Sequence, residues 1–150
     1  MDIYQWSKKY SEITNRYNAL YRSAAAHFGF SESGFKILYR LYIARGAATQ
    51  NRLAEELCLS KQTVNSAVLK LEKAGLIELS KGTAAKNSKF VSLTDKGLSE
   101  CQHCIDKLIK AESSALEKMD DKQLRQFLEL YELQYTILEK EIKRLLLEEE

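Results

Sequence analysis

The residues with the most chemical content lie at positions 60–75, Ser-Lys-Gln-Thr-Val-Asn-Ser-Ala-Val-Leu-Lys-Leu-Glu-Lys-Ala-Gly. Val64, Ala67, Val68 and Leu71 recur at i, i+3, i+4 and i+7, which on a helix makes one buried stripe. The opposite face then presents Lys61, Gln62, Asn65, Ser66, Lys70 and Lys73, with Glu72 as its acid. Short amides and hydroxyls at this spacing can hydrogen-bond base edges in a DNA major groove, and lysines can neutralise the phosphates beside them. An ordinary solvated amphipathic helix shows a similar face, so the neighbouring elements must decide between the two.

A second cluster with chemical potential is Cys101-Gln102-His103-Cys104. On a helix the two cysteines share a face, and His27 is a candidate third ligand. A closed zinc site needs four ligands, and Cys101 also falls at a core-periodic position, where a free cysteine acts as a small hydrophobe. Cys58, the remaining thiol, stands just before the helix of positions 60–75. Peroxide sensing requires an accessible thiol of low pKa. We therefore expect no metal and no cofactor, with a thiol- or zinc-responsive protein as an alternative. His27 and His103 are the only histidines, and no nucleophile–base spacing or phosphate-cradling glycine loop is present. No enzymatic activity is expected.

The elements that must position these residues follow from caps and periodicity. Ser60 is an N-cap, Leu59 and Val64 form a hydrophobic staple, and Gly75 can end the helix in the left-handed region. Upstream, Thr49 caps a short helix over 50–57 with Leu53, Ala54 and Leu57 inward. Only Cys58-Leu59-Ser60 joins it to the next helix, which forces a steep helix-turn-helix crossing. Before that, Ser31 caps a helix with Phe30 and Phe35 as its staple, burying Leu38, Leu41 and Tyr42 and ending at Gly46. After Gly75 the period changes to two. Ile77 and Leu79 alternate with polar residues, and 89–93 returns as a second strand, giving a two-stranded wing with 81–88 as its tip.

Both ends of the chain carry long seams. Ile3, Trp6, Tyr10, Ile13, Tyr17, Leu20 and Ala24 recur at heptad-like spacing over 3–28. Thr94 opens a helix running to about Met119 through Cys101, Ile105 and Leu108. Asp120 and Gln123 then form a capping box, and Leu124, Leu128, Tyr131, Tyr135, Leu138, Ile142 and Leu145 repeat the seam. Two such seams in one chain of 150 residues leave apolar surface for a second copy, so a homodimer is expected. The predicted fold is mainly α with a small β-wing. It is a winged helix-turn-helix whose N- and C-terminal helices form a dimerisation layer. We read 1–150 as a single domain, with the lobe at about 31–93 and the layer at about 3–28 and 94–147.

Charge supports a localised anionic partner. The net charge is only +2, yet 60–97 holds seven lysines against three acids, +4, while 117–150 holds ten acids against six bases, −4. No apolar run approaches the ~20 residues of a membrane span. Positions 1–6 lack a signal-peptide pattern, and three cysteines make no disulfide framework. A cytoplasmic protein with no membrane partner is expected.

With these elements in place the chain resembles the MarR family of bacterial transcription regulators. The resemblance rests on Leu53-Ala54-Glu55-Glu56-Leu57, Ser60-Lys61-Gln62-Thr63-Val64-Asn65, Leu71-Glu72-Lys73-Ala74-Gly75-Leu76-Ile77 and Leu93-Thr94-Asp95-Lys96-Gly97, in that order and spacing. It implies a triangular, mostly helical dimer that represses transcription from a palindromic operator. Many members respond to small phenolic or lipophilic ligands, and a few to peroxides or zinc. On this reading Gln62, Asn65 and Ser66 read bases, while Thr49, Gln50, Ser60, Lys61, Thr63 and Lys70 complete the double-stranded DNA contact. A small aromatic or lipophilic effector would meet Tyr17, Tyr21, Phe28, Tyr39 and Tyr42, which ordinary packing also explains.

The chain departs from the family pattern in two places. Where family wings carry an acid and an arginine it has Ala85 and Asn87, so Lys81, Lys86 and Lys89 are expected to attract phosphates without reading sequence. Where the turn before the recognition helix often has glycine it has Cys58, a position of expected strain. A winged helix used only for protein contacts is the alternative. It would bind without the steep salt dependence of phosphate contacts.

Overall fold

In the computed structural model of the chain, residues 2–81 and 89–148 are described, Lys81 by its backbone. The elements in order are α1 (Ile3–His27), α2 (Glu32–Ala44), β1 (Ala48–Thr49), α3 (Gln50–Glu56), α4 (Lys61–Lys73), β2 (Ile77–Lys81), β3 (Lys89–Leu93), α5 (Asp95–Leu116) and α6 (Asp121–Glu148). They fall into two compact units, Met1–Leu108 and Ile109–Glu150.

The first unit holds the core. α1 packs on α2, α2 and α3 pack on α4, and α4 packs on β2. Ile37, Leu38, Leu41, Leu53, Val64, Val68, Ile77, Val91, Cys101 and Ile105 are completely or almost completely removed from water. Each helix of this unit begins as its sequence dictates. The side chains of Ser31, Thr49 and Ser60 accept from the N–H groups of Gly34, Arg52 and Thr63 at 3.2, 3.2 and 3.0 Å. Phe30 and Phe35 meet across the start of α2, with ring centres 6.0 Å apart.

Helix endings differ more from expectation. α1 and α4 end in Schellman turns at Gly29 (φ 80°) and Gly75 (φ 71°), where the Phe30 and Leu76 N–H groups donate to Ala25 and Leu71 at 2.9 and 3.0 Å. α2 was expected to end on Gly46. Instead Arg45 enters the left-handed region (φ 49°), one residue earlier, and Gly46 keeps a negative φ. α5 ends at Leu116 rather than near Met119, because the Asp120 capping box already organises the next helix. There the Gln123 N–H donates to Asp120 Oδ1 at 2.8 Å, and the Asp120 N–H donates to Gln123 Oε1 at 2.9 Å.

The sheet has three strands rather than two, in the antiparallel order β1-β3-β2. Ala48 and Thr49 pair with Val91 and Phe90, while β2 pairs with β3 from Ile77–Leu93 to Lys81–Lys89. A two-residue strand cannot display an alternation, which is why periodicity missed it. Lys81, expected as the first residue of an 81–88 tip, instead ends β2 because it pairs with Lys89; the rest of that tip, 82–88, with Ala85, Lys86 and Asn87, lies outside the described residues.

The second unit contains the end of α5 and all of α6. No α6 residue is buried; Leu124 is half-buried, and the apolar seam from Leu128 to Leu145 faces water in the single chain.

One backbone approach sets the tolerance of the first unit. A Cβ on Gly97 would stand 1.8 Å from the Leu76 carbonyl oxygen and 2.8 Å from its carbon. Both are backbone atoms, so neither can swing aside. Gly97→Ala should therefore destabilise the protein by about 3 kcal/mol or prevent folding, although alanine is favoured over glycine inside a helix by about 1 kcal/mol. Chemical denaturation of the variant checks this. An unchanged or raised midpoint would show that α5 can move away without loss.

Candidate nucleic-acid interface

The site is built on α4. Burial of Val64, Ala67, Val68 and Leu71 turns the opposite side of the helix outward. Gln62, Asn65, Ser66, Lys61, Lys70 and Lys73 are all exposed, and none of these lysines forms an ion pair among the described residues. All but Lys73 are expected DNA contacts from the sequence, and they do share one surface. Leu69 belongs to it as well, at 53% exposure. It was missed because leucine is assigned to cores by type. Its spacing of seven from Gln62 and three from Ser66 would have placed it outward.

The supporting hydroxyls are partly committed. Thr49 and Ser60 serve as helix caps, and Ser60 Oγ lies 2.8 Å from Thr63 Oγ1, so one of these hydroxyls donates to the other. Thr49 does double duty, since it also pairs with Phe90 in the sheet and so joins α3 to β3. Gln50, half-buried, opens α3 directly after it. Lys89, at the start of β3, is exposed. Lys86 lies outside the described residues.

Three devices hold α4 in place. At its start, the turn from α3 is a Schellman motif built without glycine. Cys58 sits at φ 51°, its N–H donates to Glu55 O at 3.2 Å, and the Leu59 N–H donates to Ala54 O at 2.9 Å. The expected strain at Cys58 is therefore present, because a left-handed L-residue crowds its own Cβ. At the end of α4, the start of α5 grips three successive carbonyls. Lys96 Nζ donates to Ala74 O at 2.7 Å and the Thr94 hydroxyl donates to Gly75 O at 2.6 Å. The Thr94 N–H donates to Leu76 O at 3.1 Å. The Thr94 oxygen also accepts from the Gly97 N–H at 3.0 Å. A cation and two further donors thus satisfy carbonyls at the negative end of the helix.

The third device ties α3 to α2. Glu56 receives Arg40 on one carboxylate oxygen and Arg52 Nε at 2.7 Å on the other. These two hydrogen bonds, that from Arg40 first, hold its pKa at about 2, against an ordinary 4.5.

The other sequence candidates are placed separately. The Tyr17 and Tyr21 hydroxyls are 3.1 Å apart on α1. Phe28 stacks with Phe35, and the Tyr42 hydroxyl donates to Asp106 Oδ1 at 2.7 Å. Tyr39 is half-buried. Cys101 and Cys104 are fully buried, and burial pushes the Cys101 thiol up to about 12, the opposite of a reactive thiol. Among the described residues no group of three or more His, Cys, Asp or Glu side chains is arranged to hold a metal. No helix among them is long and apolar enough to cross a membrane.

The short connection that packs α3 on α4, the strand β2 against α4 and the outward polar face define a winged helix-turn-helix. Residues 30–84 match the model of the MarR family. No curated protein matches the chain. Among solved structures, a MarR family regulator from Neisseria meningitidis is similar at 22% identity and a TM-score of 0.77, covering 96% of this chain and 99% of its own. A MarR family transcriptional regulator from Listeria monocytogenes, complexed with a 26mer DNA, is similar at 19% identity and a TM-score of 0.72, covering 93% and 91%. MepR from S. aureus, also solved as a DNA complex, is similar at 20% identity and a TM-score of 0.71, covering 89% and 97%. The fold of these three structures thus extends over nearly the whole chain.

The Glu56 bridge has a pH consequence of definite sign. Its folded pKa is depressed, so its contribution to stability is present above pH 4.5 and is lost as pH falls through about 2. Glu56→Gln should be less stable than wild type near neutrality, and the difference should shrink steadily between pH 4.5 and 2. Denaturation midpoints measured at both ends of that window test this. A difference constant across it would mean that the carboxylate charge contributes nothing.

Proposed function

We propose that this chain is a DNA-binding transcription regulator rather than an enzyme. It acts as a cytoplasmic homodimer of one domain, 1–150, that represses from a pseudo-palindromic operator until a small aromatic or lipophilic ligand relieves it. The observation that carries the reading is the outward face of α4. Amides, hydroxyls and unpaired lysines lie together on a helix anchored at both ends. Gln62, Asn65 and Ser66 are the base readers. Thr49, Gln50, Ser60, Lys61, Thr63 and Lys70 hold the backbone, and the wing lysines Lys81, Lys86 and Lys89 add attraction to phosphates. Two proteins of this fold bound to DNA lend support. The effector would enter near Tyr17, Tyr21, Phe28, Tyr39 and Tyr42.

The dimer rests on the terminal helices. Trp6, Tyr10, Ile13 and Tyr17 on α1, and Leu128, Tyr131, Tyr135 and Leu138 on α6, are between 38% and 64% exposed in the single chain. Apolar seams of this length are covered in solution, and a second copy supplies matching ones. With a two-fold axis, half-sites should lie about one helical turn apart, ~10 base pairs.

Two measurements test the reading. Asn65→Ala should cost about 1–3 kcal/mol on the selected operator and relax preference at one base position. Lys70→Ala should weaken operator and random duplex alike and reduce the salt slope by about one contact. Identical behaviour of the two variants on both duplexes would remove the distinction between readers and anchors. Because Leu128 and Leu138 face water in the single chain, Leu128→Glu with Leu138→Glu should leave its helicity intact while converting dimer to monomer in sedimentation. A double variant that still sediments as a dimer would place the interface elsewhere.

A further inference from the structure

The outward face of α4 holds one residue that neither phosphate attraction nor hydrogen-bonded base reading uses. Leu69 stands four residues after Asn65, three after Ser66 and seven after Gln62, so these side chains form one row along the helix. Its neighbours by type are buried, Val68 at 0% and Leu71 at 5%, whereas Leu69 is 53% exposed. A lone exposed leucine is common on protein surfaces. This one is distinguished by its company, since the row around it is polar and the flanking Lys70 and Lys73 draw an anionic duplex toward it.

The chemistry of that row limits what Leu69 can meet. A leucine side chain has no donor or acceptor. Against a carbonyl, ring nitrogen or amino group of a base edge it would strip water and return no hydrogen bond, which is unfavourable. Among the groups that base pairs present in the major groove, the thymine C5 methyl is the apolar one. An exposed leucine there gains by covering that methyl and loses against every other edge, so it discriminates in both directions. The seven residues from Gln62 to Leu69 span about 10 Å along the helix. That reach keeps Leu69 within the stretch of groove that the helix occupies.

We propose that Leu69 is a specificity-determining residue that recognises a thymine in each half-site through its C5 methyl group. The inference rests on the DNA-binding reading above and adds to it the identity of one base and the atom by which it is read.

The test removes the methyl from each side in turn. The wild-type full chain enriches its preferred duplex from a random pool. Each thymine of that duplex is then replaced by deoxyuridine, which lacks only the methyl. At one position per half-site, the replacement should lower wild-type affinity about fourfold, the change expected for one buried methyl. Leu69→Ala should bind the thymine duplex more weakly and be indifferent to uracil at that position. Leu69→Asn, which keeps the surface polar, should show the same indifference. The uracil arm needs no variant, and Leu69 lies at the surface, so altered folding cannot mimic the result. If the wild type binds the duplex but ignores uracil at every position, the inference is overturned and DNA binding stands. If Leu69→Ala keeps the full wild-type sensitivity, the methyl is read by another residue and the inference is again overturned. A wild-type chain that binds no duplex at all overturns both readings.

Discussion

The structure depends on the burial of one stripe of α4. Val64, Ala67, Val68 and Leu71 are removed from water against α2, α3 and β2. Full burial of such side chains is worth about 1.5–3 kcal/mol for each of the larger ones, far more than any single surface contact on the other side. A helix has one azimuth, so burying this stripe leaves Gln62, Asn65, Ser66 and Leu69 no choice but to face outward. The outward face is thus a by-product of the core. Its residues need only be compatible with helix, because the position of the row is already decided behind it.

The ends of α4 show how such a row is kept in register. At its start the chain turns through Cys58 in a conformation that glycine adopts more easily, yet the turn makes both hydrogen bonds of the motif. The strain is carried by the helix and sheet contacts on either side. At its end, Lys96 and Thr94 occupy the carbonyls of Ala74, Gly75 and Leu76, and Gly97 lets the backbones come close enough for them to do so. These contacts are short, directional and partly charged, so they resist rotation of the helix in a way that apolar packing alone does not. Glu56 adds a bridge from α3 to α2 through Arg40, while Arg52 on α3 holds its other oxygen. Its location at the surface makes it a modest stabiliser.

The terminal helices pose a different balance. The first unit closes its core within itself, whereas α6 buries no residue and α1 buries only Ala25. Twenty-eight residues of helix with an unburied apolar seam gain little from helix propensity alone. Their stability must come from packing. Any surface that covered these seams would therefore stabilise the helices as well.

Much of this was legible in the chain itself. The caps at Ser31, Thr49, Ser60 and Asp120 follow from hydroxyl or carboxylate side chains placed before helical periodicity. The buried stripe of α4 follows from its 3.6-residue repeat, and the wing strands at 77–80 and 89–93 from alternation. Each is a local rule in which side-chain chemistry and backbone geometry act within a few residues. What tertiary structure decided lies beyond that range. The strand at Ala48–Thr49 exists only because β3 offers it an edge. Arg45, not Gly46, takes the left-handed conformation. Gly97 is required by a carbonyl twenty-one positions earlier, at Leu76, and Glu56 meets Arg40 across sixteen. Local sequence specifies which conformations are cheap, but contact between distant backbones selects among them, because that energy is realised only when the chain has closed on itself.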